Sequence, residues 1–313
     1  MTRITRRKFL KITAVSLALP FTSSILLANN IEKTTWKGVA LGAKSNMILF
    51  HKNPSYSKDT LDICINEVRR LEKIFSLFDK NSSITLLNTQ GFILNPPKEL
   101  VEVLKFAHNI SQNTKGAFDV TIQPLWTAHA NFFKSKDKNN INKLKESIQK
   151  AKKLVSYKNL SIDKKEIRFK QKGMQITLNG IAQGYITDKI TNILKEKGFT
   201  NVLVNLGEIN SIGGYDQKRD WNIATPYLKD TKYLTINNTA IASSGGYGTK
   251  FNEKYHHLFD TKTGTSANYI NSVTIKAQSA MLADAISTAV YVMPVKESKK
   301  LERIYPNIKI YKT

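Results

Sequence analysis

Cysteine is nearly absent from this chain of 313 residues, in which Cys64 is the single thiol. One cysteine excludes an internal disulfide and every metal site that needs a pair of thiolates. Cys64 lies in an amphipathic segment, so we expect a small buried residue rather than a nucleophile. The sequence also lacks a Walker motif, a Gly-x-Gly-x-x-Gly fingerprint and a His-Glu-x-x-His pair. These absences argue against P-loop nucleotidases, Rossmann dehydrogenases and zinc sites of the common kinds.

Acidic residues are scarce, because 24 Asp and Glu stand against 48 Lys and Arg, and the formal charge is +24. The basic residues are mostly lysines scattered among Asn and Ile, without an arginine-rich stripe or interleaved aromatic residues. A nucleic-acid interface needs a more concentrated footprint, so we predict no nucleic-acid partner. The charge is consistent with a weak attraction to an anionic small molecule or to a membrane surface.

The first residues have the pattern of an export signal. Arg6 and Arg7 open the run Arg-Arg-Lys-Phe-Leu-Lys, an apolar stretch follows from Ile12 to Leu27, and small residues surround Ala28. This pattern is typical of a twin-arginine leader, and its apolar part is shorter than the ~20 residues of a membrane span. We therefore predict a signal peptide over residues 1–28 and one domain over 29–313, located in the periplasm. Retention of the leader as a membrane anchor is the alternative.

Apolar periodicity predicts a mixture of helices and strands. Six apolar residues recur at helical spacing between Asp59 and Phe78, and Pro96-Pro97 opens a second helix, since proline suits a first turn. Helices and strands do not alternate strictly, which predicts an α+β fold with largely antiparallel sheets and packed helices. Further helices are predicted over 181–198, 280–292 and 296–304, and strands over 35–51, 201–206, 208–212, 221–225, 233–236, 239–243, 255–259, 272–276 and 308–311, with short strands within 154–178.

A glycine-bearing turn lies between an extended apolar run and a predicted helix. Residues 177–188 read Thr-Leu-Asn-Gly-Ile-Ala-Gln-Gly-Tyr-Ile-Thr-Asp, and Gly180 and Gly184 stand where a backbone can approach a ligand closely. The first N–H groups of the helix would face that ligand and form an anion site. Because turns from a strand through glycine into a helix are common, a simple packing turn is the alternative.

Two oxygen-bearing side chains, Asp284 and Thr288, lie four residues apart on a predicted helix and therefore share one face. A carboxylate and a hydroxyl are hard ligands, which suit Mg²⁺ or Ca²⁺ rather than zinc. An ordinary solvated helix face is the alternative interpretation of this pair.

The histidine pair His256-His257 lies in a predicted strand, so the two rings face opposite sides. One ring would then line a site while the other is structural, and Asp260 follows three residues after His257. Histidine titrates near neutral pH and can act as a general acid or base. A purely structural role fits the spacing equally well.

Two further segments combine small residues with aromatic or polar ones. Gly116-Ala-Phe-Asp119 precedes an extended pattern, and this junction of a loop with a strand would hold a heterocycle and hydrogen-bond its ring or ribose. Residues 242–248 form a Gly/Ser-rich loop that would admit a ligand or a partner peptide. Plain turns and connectors explain both segments as well.

In this order and at this spacing, the segments resemble the ApbE family of flavin transferases over residues 35–313. Each segment is weak evidence alone, whereas the ordered set is specific. The sequence around Gly180 and the twin-arginine leader are similar to those of the NosX branch of the family, which is found in nitrous oxide reductase systems. The segments are Gly38-Val-Ala-Leu-Gly-Ala, Ile74-Phe-Ser-Leu-Phe, Ser83 with Leu87-Asn88, Gly116-Ala-Phe-Asp-Val-Thr, Leu178-Asn-Gly-Ile-Ala-Gln-Gly-Tyr, Asn205-Leu-Gly-Glu-Ile, Ala242-Ser-Ser-Gly, His257-Leu-Phe-Asp-Thr-Lys-Thr-Gly and Ala283-Asp-Ala-Ile-Ser-Thr.

The resemblance implies a reaction and a set of site residues. The family cleaves the pyrophosphate of FAD, joins FMN to a threonine hydroxyl of a target protein and releases AMP. By this resemblance a Mg²⁺ ion would bridge the pyrophosphate oxygens, and its implied ligands are Asp284, Thr288 and the carbonyl of Gly180. His257 is the implied base for the threonine proton, with Asp260 near it in sequence. The implied FAD contacts are Leu41, Gly42, Ala117, Phe118, Asp119, Thr177, Gln183 and His257.

The chain departs from the family pattern at two of these FAD contacts. Many members carry Asp where Thr177 stands and Lys where Gln183 stands, so a strong acceptor and a cation near the phosphates are missing. Thr and Gln still form hydrogen bonds, which predicts an altered affinity for FAD. The intact pair Asp284 and Thr288 predicts retained transferase activity. Thr261 replaces the usual proline of the histidine motif, and we expect this change to affect loop stiffness only.

Three functions are compatible with the resemblance. The first is Mg²⁺-dependent transfer of FMN from FAD to an exported or membrane-bound redox protein, similar to NosR or NqrC. The second is hydrolysis of FAD to FMN and AMP, with water in place of threonine. The third is FAD binding without catalysis, by an assembly factor of a respiratory complex such as nitrous oxide reductase. The complete set Asp284, Thr288 and His257 favours the two enzymes.

Overall fold

The computed structural model describes residues 31–135, 140–225, 228 and 233–313, so the predicted leader over 1–28 lies outside the described residues. No helix within these ranges combines the length and the apolarity that a membrane crossing requires. The strands are β1 (Glu32–Ala40), β2 (Ala43–His51), β3 (Phe92–Leu94), β4 (Leu160–Ile162), β5 (Glu166–Phe169), β6 (Asn201–Asn205), β7 (Ile209–Ile212), β8 (Trp221–Ala224), β9 (Tyr233–Ile236), β10 (Ala240–Gly245), β11 (Ser272–Ala277) and β12 (Lys309–Lys312). The helices are α1 (Pro54–Phe75), α2 (Ser83–Gln90), α3 (Lys98–Asn113), α4 (Gln123–Lys134), α5 (Ile141–Lys152), α6 (Ala182–Glu196), α7 (Ala280–Val292), α8 (Val295–Ser298) and α9 (Leu301–Ile304).

A seven-stranded sheet with the strand order β1-β2-β6-β7-β10-β11-β12 forms the frame of the fold. Each pair of neighbouring strands in it runs antiparallel. The two smaller sheets, β3-β5-β4 and β8-β9, are also antiparallel. The prediction of an α+β fold with largely antiparallel sheets is therefore confirmed.

The predicted strand 35–51 is a hairpin of two strands. Ala40 pairs with Ala43, so the two residues Leu41 and Gly42 form the whole turn between β1 and β2. Their φ angles are 46° and 80°, which is the left-handed conformation of tight hairpin turns. Leucine rarely adopts this conformation, and the Leu41 amide is held by a hydrogen bond of 2.7 Å to Glu72 Oε1 of α1.

The main hydrophobic core lies between the sheet and helices α1, α3, α6 and α7. Helix α1 shows why these helices form: Asn53 Oδ1 accepts a hydrogen bond from the amide of Tyr56 (3.1 Å), and Pro54 occupies the first turn. Cys64 is fully buried, and burial raises the pKa of its thiol to about 12, as expected for a structural cysteine. The buried face of α1 consists of Ser57, Thr60, Leu61, Cys64, Val68, Leu71, Ile74 and Phe75.

Three predicted elements differ from the structure. Residues 120–134 form a short 3₁₀ turn and α4 instead of a strand, with Pro124 in the first turn of the helix. Residues 255–259 make only isolated bridges, such as the one between Phe259 and Ser266. The predicted helix 296–304 is divided into α8 and α9, and Ser298 Oγ donates to the carbonyl of Val295 (2.8 Å) at the break.

Candidate active site

One pocket opens where six parts of the chain meet. They are the segment that leads into α4, the turn before α6, the turn between β6 and β7, the end of β10 with the loop after it, the segment around His257, and helix α7. It brings together nine of the twelve residues that the sequence singled out for binding or catalysis. These residues come from distant parts of the sequence, so the fold assembles them. They are Ala117, Phe118, Asp119, Thr177, Gly180, Gln183, His257, Asp284 and Thr288.

The two predicted FAD contacts of the β1–β2 turn lie outside this pocket. Leu41 lines a smaller neighbouring pocket, and that pocket shares Asn179 and Gln183 with the main one. Gly42 is exposed in the hairpin turn and lines neither of the two pockets. The turn therefore lies beside the main pocket rather than in its wall.

Asp260, the second predicted catalytic residue, also lies outside the main pocket. Its side chain is buried, and its carboxylate accepts hydrogen bonds from the amide of Lys262 (2.8 Å) and from Tyr269 Oη (2.8 Å). Its own carbonyl accepts from the amide of Gly264 at 2.7 Å. The structure thus places Asp260 in the turn that follows His257, where it stabilises that turn.

The carboxylate of Asp284 faces the start of α6. Ser279 caps α7, since its Oγ accepts from the amide of Leu282 at 3.1 Å, and the helix then carries Asp284 to the pocket. Asp284 is 4% exposed, and its Oδ2 accepts a hydrogen bond of 3.2 Å from the amide of Gly184 in the first turn of α6. A helix N-terminus stabilises a negative charge placed there, so this amide orients the carboxylate.

Gly180 approaches Thr288 very closely. A Cβ atom built on Gly180 would lie 2.6 Å from Thr288 Oγ1, so no larger residue fits between the turn and α7. Asp284, Thr288 and Gly180 all line the pocket, and a carboxylate, a hydroxyl and a backbone carbonyl are hard oxygen donors of the kind that Mg²⁺ prefers. Among the described residues no group of three His, Cys, Asp or Glu side chains could hold a metal. A cation in this pocket would depend on the mixed set of donors.

Gln183 presents a buried donor. The residue is 4% exposed, yet its Nε2 has no hydrogen-bond partner in the described part of the chain. Gly207, with a φ of 112°, packs against this amide so closely that a Cβ atom there would lie 2.3 Å from Nε2. A buried donor without a partner costs about 1–3 kcal/mol. Gln183 also lines the pocket, where an acceptor oxygen of a ligand would relieve this cost.

Thr177 and Asp119 form a hydrogen-bonded part of the pocket wall. The amide of Thr177 donates to the carbonyl of Val120 at 2.8 Å. Asp119 Oδ1 accepts from the amide (2.8 Å) and the hydroxyl (2.6 Å) of Thr121, and Oδ2 accepts from the amide of Tyr157 (2.8 Å). Burial raises the pKa of Asp119, although these hydrogen bonds oppose the shift. The carboxylate thus binds the chain around it, and this fixes the wall.

The two adjacent histidines have different surroundings. His256 is buried, its Nε2 lies 2.9 Å from the carbonyl of Ala267, and burial lowers its pKa. His257 lines the pocket, and its Nδ1 lies 3.2 Å from the carbonyl oxygen and 3.3 Å from the amide of Thr249. The prediction that one ring is structural while the other reaches a cavity agrees with this placement, although the segment is not a regular strand.

The pocket also contains residues that the sequence did not assign. Trp126 lies on α4. The sequence does not predict it as a pocket residue, because its pattern predicts a strand in this segment. Glu208 follows Gly207 in the turn between β6 and β7. A glycine directly before an acidic residue is the sequence feature that could have indicated a site there. Ser244 and Tyr247 belong to the Gly/Ser-rich loop that was expected to admit a ligand or a peptide.

Comparison with known proteins gives consistent matches across the chain. A family model described as the ApbE family matches residues 41–311. The FAD:protein FMN transferase of Buchnera aphidicola subsp. Schizaphis graminum is 27% identical over 297 residues, which cover 88% of this chain and 85% of the relative. The FAD:protein FMN transferase of Vibrio cholerae serotype O1 is 26% identical over 290 residues, which cover 87% of this chain and 86% of the relative.

Solved structures show a similar architecture. The ApbE protein of Thermotoga maritima superposes with a TM-score of 0.77 at 27% identity, covering 90% of this chain and 94% of that one. A flavin transferase ApbE from Vibrio cholerae superposes with a TM-score of 0.76 at 22% identity, covering 90% of this chain and 93% of that one. At 22% identity, the similarity to the Vibrio cholerae structure shows the fold alone. The family-model match includes every pocket residue described above.

Proposed function

The chain belongs to the ApbE family and transfers a flavin from FAD to a protein, and we propose that it joins FMN to a threonine hydroxyl with Mg²⁺ and releases AMP. The observation that carries the proposal is the convergence of Asp284, Thr288 and Gly180 in the pocket whose wall contains His257. Oxygen donors for a cation and a base for a hydroxyl are what transfer of a phosphoryl group to an alcohol requires.

The donor set supports Mg²⁺ as the ion. Asp284, Thr288 and the carbonyl of Gly180 would hold it, and the bound ion would neutralise charge that develops on the pyrophosphate oxygens. The amide of Gly184 already holds one oxygen of Asp284. A carboxylate oriented in advance by its neighbours binds a metal more tightly than a mobile one.

His257 is the proposed general base. With a proton on Nδ1 donated to the carbonyl of Thr249, the ring can accept the proton of the acceptor threonine at Nε2. The threonine oxygen then bonds to the FMN phosphorus of FAD, and the bond between that phosphorus and the bridging oxygen breaks. AMP leaves with the electron pair, FMN remains esterified to the threonine, and the proton stays on His257.

Replacing Gln183 by lysine tests the proposed phosphate contact. A cation at this buried position would form a charge-assisted hydrogen bond with a phosphate oxygen in place of a neutral one. We expect the Kd for FAD, measured by quenching of flavin fluorescence without Mg²⁺, to fall about tenfold. Gln112→Lys on the exposed surface of α3 adds the same charge and should leave the Kd unchanged. A Gln183→Lys protein that binds FAD no more tightly than Gln112→Lys would contradict the contact.

The acceptor and the location extend the proposal. The twin-arginine pattern supports export to the periplasm. The NosX-like sequence of residues 178–185 supports, as the acceptor, a membrane-bound, threonine-bearing redox protein similar to NosR or NqrC. Replacing both Arg6 and Arg7 by lysine should keep the protein in the cytoplasm, as measured by fractionation of cells. Export of that variant at the wild-type level would rule out the twin-arginine route.

A single reconstitution separates the candidate functions. The protein is incubated with FAD, Mg²⁺ and the soluble part of a threonine-bearing redox protein of the NosR or NqrC kind. Flavin fluorescence on the partner after denaturing electrophoresis supports transfer, and it should disappear when the acceptor threonine is replaced by valine. AMP release without labelling would indicate FAD hydrolysis. Bound FAD without labelling or AMP would indicate an assembly factor.

A further inference from the structure

Asp188 caps a helix other than its own. It lies on α6, and its carboxylate accepts four hydrogen bonds, three of them from the start of α7. Oδ1 accepts from the amide of Ala280 (2.7 Å) and from Asn210 Nδ2 (2.8 Å). Oδ2 accepts from Ser279 Oγ (2.8 Å) and from the amide of Met281 (2.9 Å). The first amides of a helix lack partners within it, so Asp188 satisfies two of them and places a negative charge at the positive end of α7.

The same two helices are in close contact nearer to the pocket. A Cβ atom on Gly184 would lie 2.4 Å from the carbonyl oxygen of Ala280, and the Gly184 amide donates to Asp284 Oδ2 at 3.2 Å. Just before α6 begins, a Cβ atom on Gly180 would lie 2.6 Å from Thr288 Oγ1. Neither glycine position leaves room for a side chain between the two segments.

These contacts form an antiparallel ladder with a period of four residues. Hydrogen bonds join position 188 to position 280 and position 184 to position 284, and Gly180 packs on position 288. Gly184 also packs on Ala280. Four residues are about one turn of an α-helix, so the contacts at 188 and 184 lie about one turn apart on α6, and Gly180 lies in the turn just before this helix. The proposed cation donors are at one end of the ladder and Asp188 is at the other.

We propose that Asp188 is a positioning residue for the cation site: its hydrogen bonds fix the register of α7 against α6 and so the placement of Asp284 and Thr288 beside Gly180. This inference rests on the Mg²⁺ site of the proposed function. Asp188 is not among the residues that line the pocket. It therefore acts through the placement of a helix and not through contact with FAD or the ion.

Asp188→Asn is the first test. The amide keeps two acceptor bonds but turns an NH₂ group towards one of the two amides of α7, so half of the clamp is lost. We expect the affinity for Mn²⁺ alone, measured by electron paramagnetic resonance, to weaken about tenfold, and the half-saturating Mg²⁺ concentration for turnover to rise in parallel. At saturating Mg²⁺, kcat and the KM for FAD should stay near wild type. A general loosening of the fold would change all of these quantities together.

Asn53→Ala is the matched control for Asp188→Asn, because it also removes a side chain that caps a helix. Asn53 Oδ1 accepts from the amide of Tyr56 at the start of α1, and Asn53 does not line the pocket. Its removal should lower stability by about 1 kcal/mol and leave the Mn²⁺ affinity unchanged. If circular dichroism shows that Asp188→Asn does not fold, the Mn²⁺ affinity of Ser279→Ala is measured in its place. That variant removes one of the four bonds and the cap of α7, and its Mn²⁺ affinity should weaken by a smaller factor.

The outcomes distinguish the inference from the function on which it rests. Unchanged Mn²⁺ affinity in folded Asp188→Asn, or an equal weakening in Asn53→Ala, overturns the positioning role and leaves the proposed function intact. Absence of Mn²⁺ binding by the wild-type protein contradicts the cation site itself and overturns both.

Discussion

Asp284→Ala is expected to lower the rate of Mg²⁺-dependent flavin transfer on the order of a thousandfold. Asp284 carries the negative charge of the proposed donor set, and its removal leaves the Thr288 hydroxyl and the Gly180 carbonyl. Neutral oxygen donors alone hold a divalent cation weakly. The rate is measured as AMP release and as flavin fluorescence on the acceptor, with Mg²⁺ varied from micromolar to millimolar concentration.

Two further variants separate the charge of Asp284 from its shape. Asp284→Asn keeps an acceptor for the amide of Gly184 and should still lose most of the rate, because the charge is gone. Asp62→Ala removes an exposed carboxylate from α1 and should keep the wild-type rate. Asp284→Ala leaves a buried amide without an acceptor, at about 1–3 kcal/mol, so thermal melting must show that it folds. Wild-type turnover by the folded variant would contradict the metal assignment.

The helix that carries Asp284 shows how much of the fold the sequence can predict. Its predicted range, 280–292, agrees with α7 at both ends. The signals are local: Ser279 supplies a cap, and Ile286, Ala289 and Val290 lie at helical spacing on a buried face. The relation of Asp284 to Thr288 depends only on this periodicity. Features set by neighbouring residues on the chain could therefore be predicted without the structure.

Features set by distant residues could not be predicted in the same way. The run of β-branched residues at 120–122 favours a strand, yet these residues form a 3₁₀ turn that leads into α4, whose Leu125 and Phe132 pack in a cluster with α5. Tertiary packing overrides such local preferences. Likewise, nothing near Asp119 in sequence shows that its carboxylate accepts from the amide of Tyr157, 38 residues further on.

The two glycines of the turn before α6 lie between these cases. The sequence predicts that backbone comes close to something at Gly180 and Gly184, and it suggests a ligand. In the structure α7 fills the space beside both glycines, at Thr288 and at Ala280. Small residues at fixed spacing thus reveal a close approach, whereas the identity of the approaching group depends on the folded chain.

His257→Asn is expected to lower flavin transfer by about a hundredfold to ten-thousandfold at saturating FAD and Mg²⁺. Asparagine keeps a donor where Nδ1 bonds to the carbonyl of Thr249, so the loop at that residue should keep its place. It has no basic nitrogen, however, and cannot take the proton of the threonine hydroxyl. The Kd for FAD should change far less than the rate, because the cation donors and Gln183 are untouched.

The matched control for this variant is His51→Asn. Nδ1 of His51 likewise lies near both the carbonyl oxygen (3.2 Å) and the amide (3.0 Å) of one backbone residue, Asn53. His51 does not line the pocket, so the wild-type rate is expected. AMP release and labelling should fall together in His257→Asn, since threonine and water both need a base to attack phosphorus. If labelling falls while AMP release persists, His257 positions the acceptor and does not take its proton. Wild-type labelling by the folded variant would mean that another group of the pocket accepts the proton.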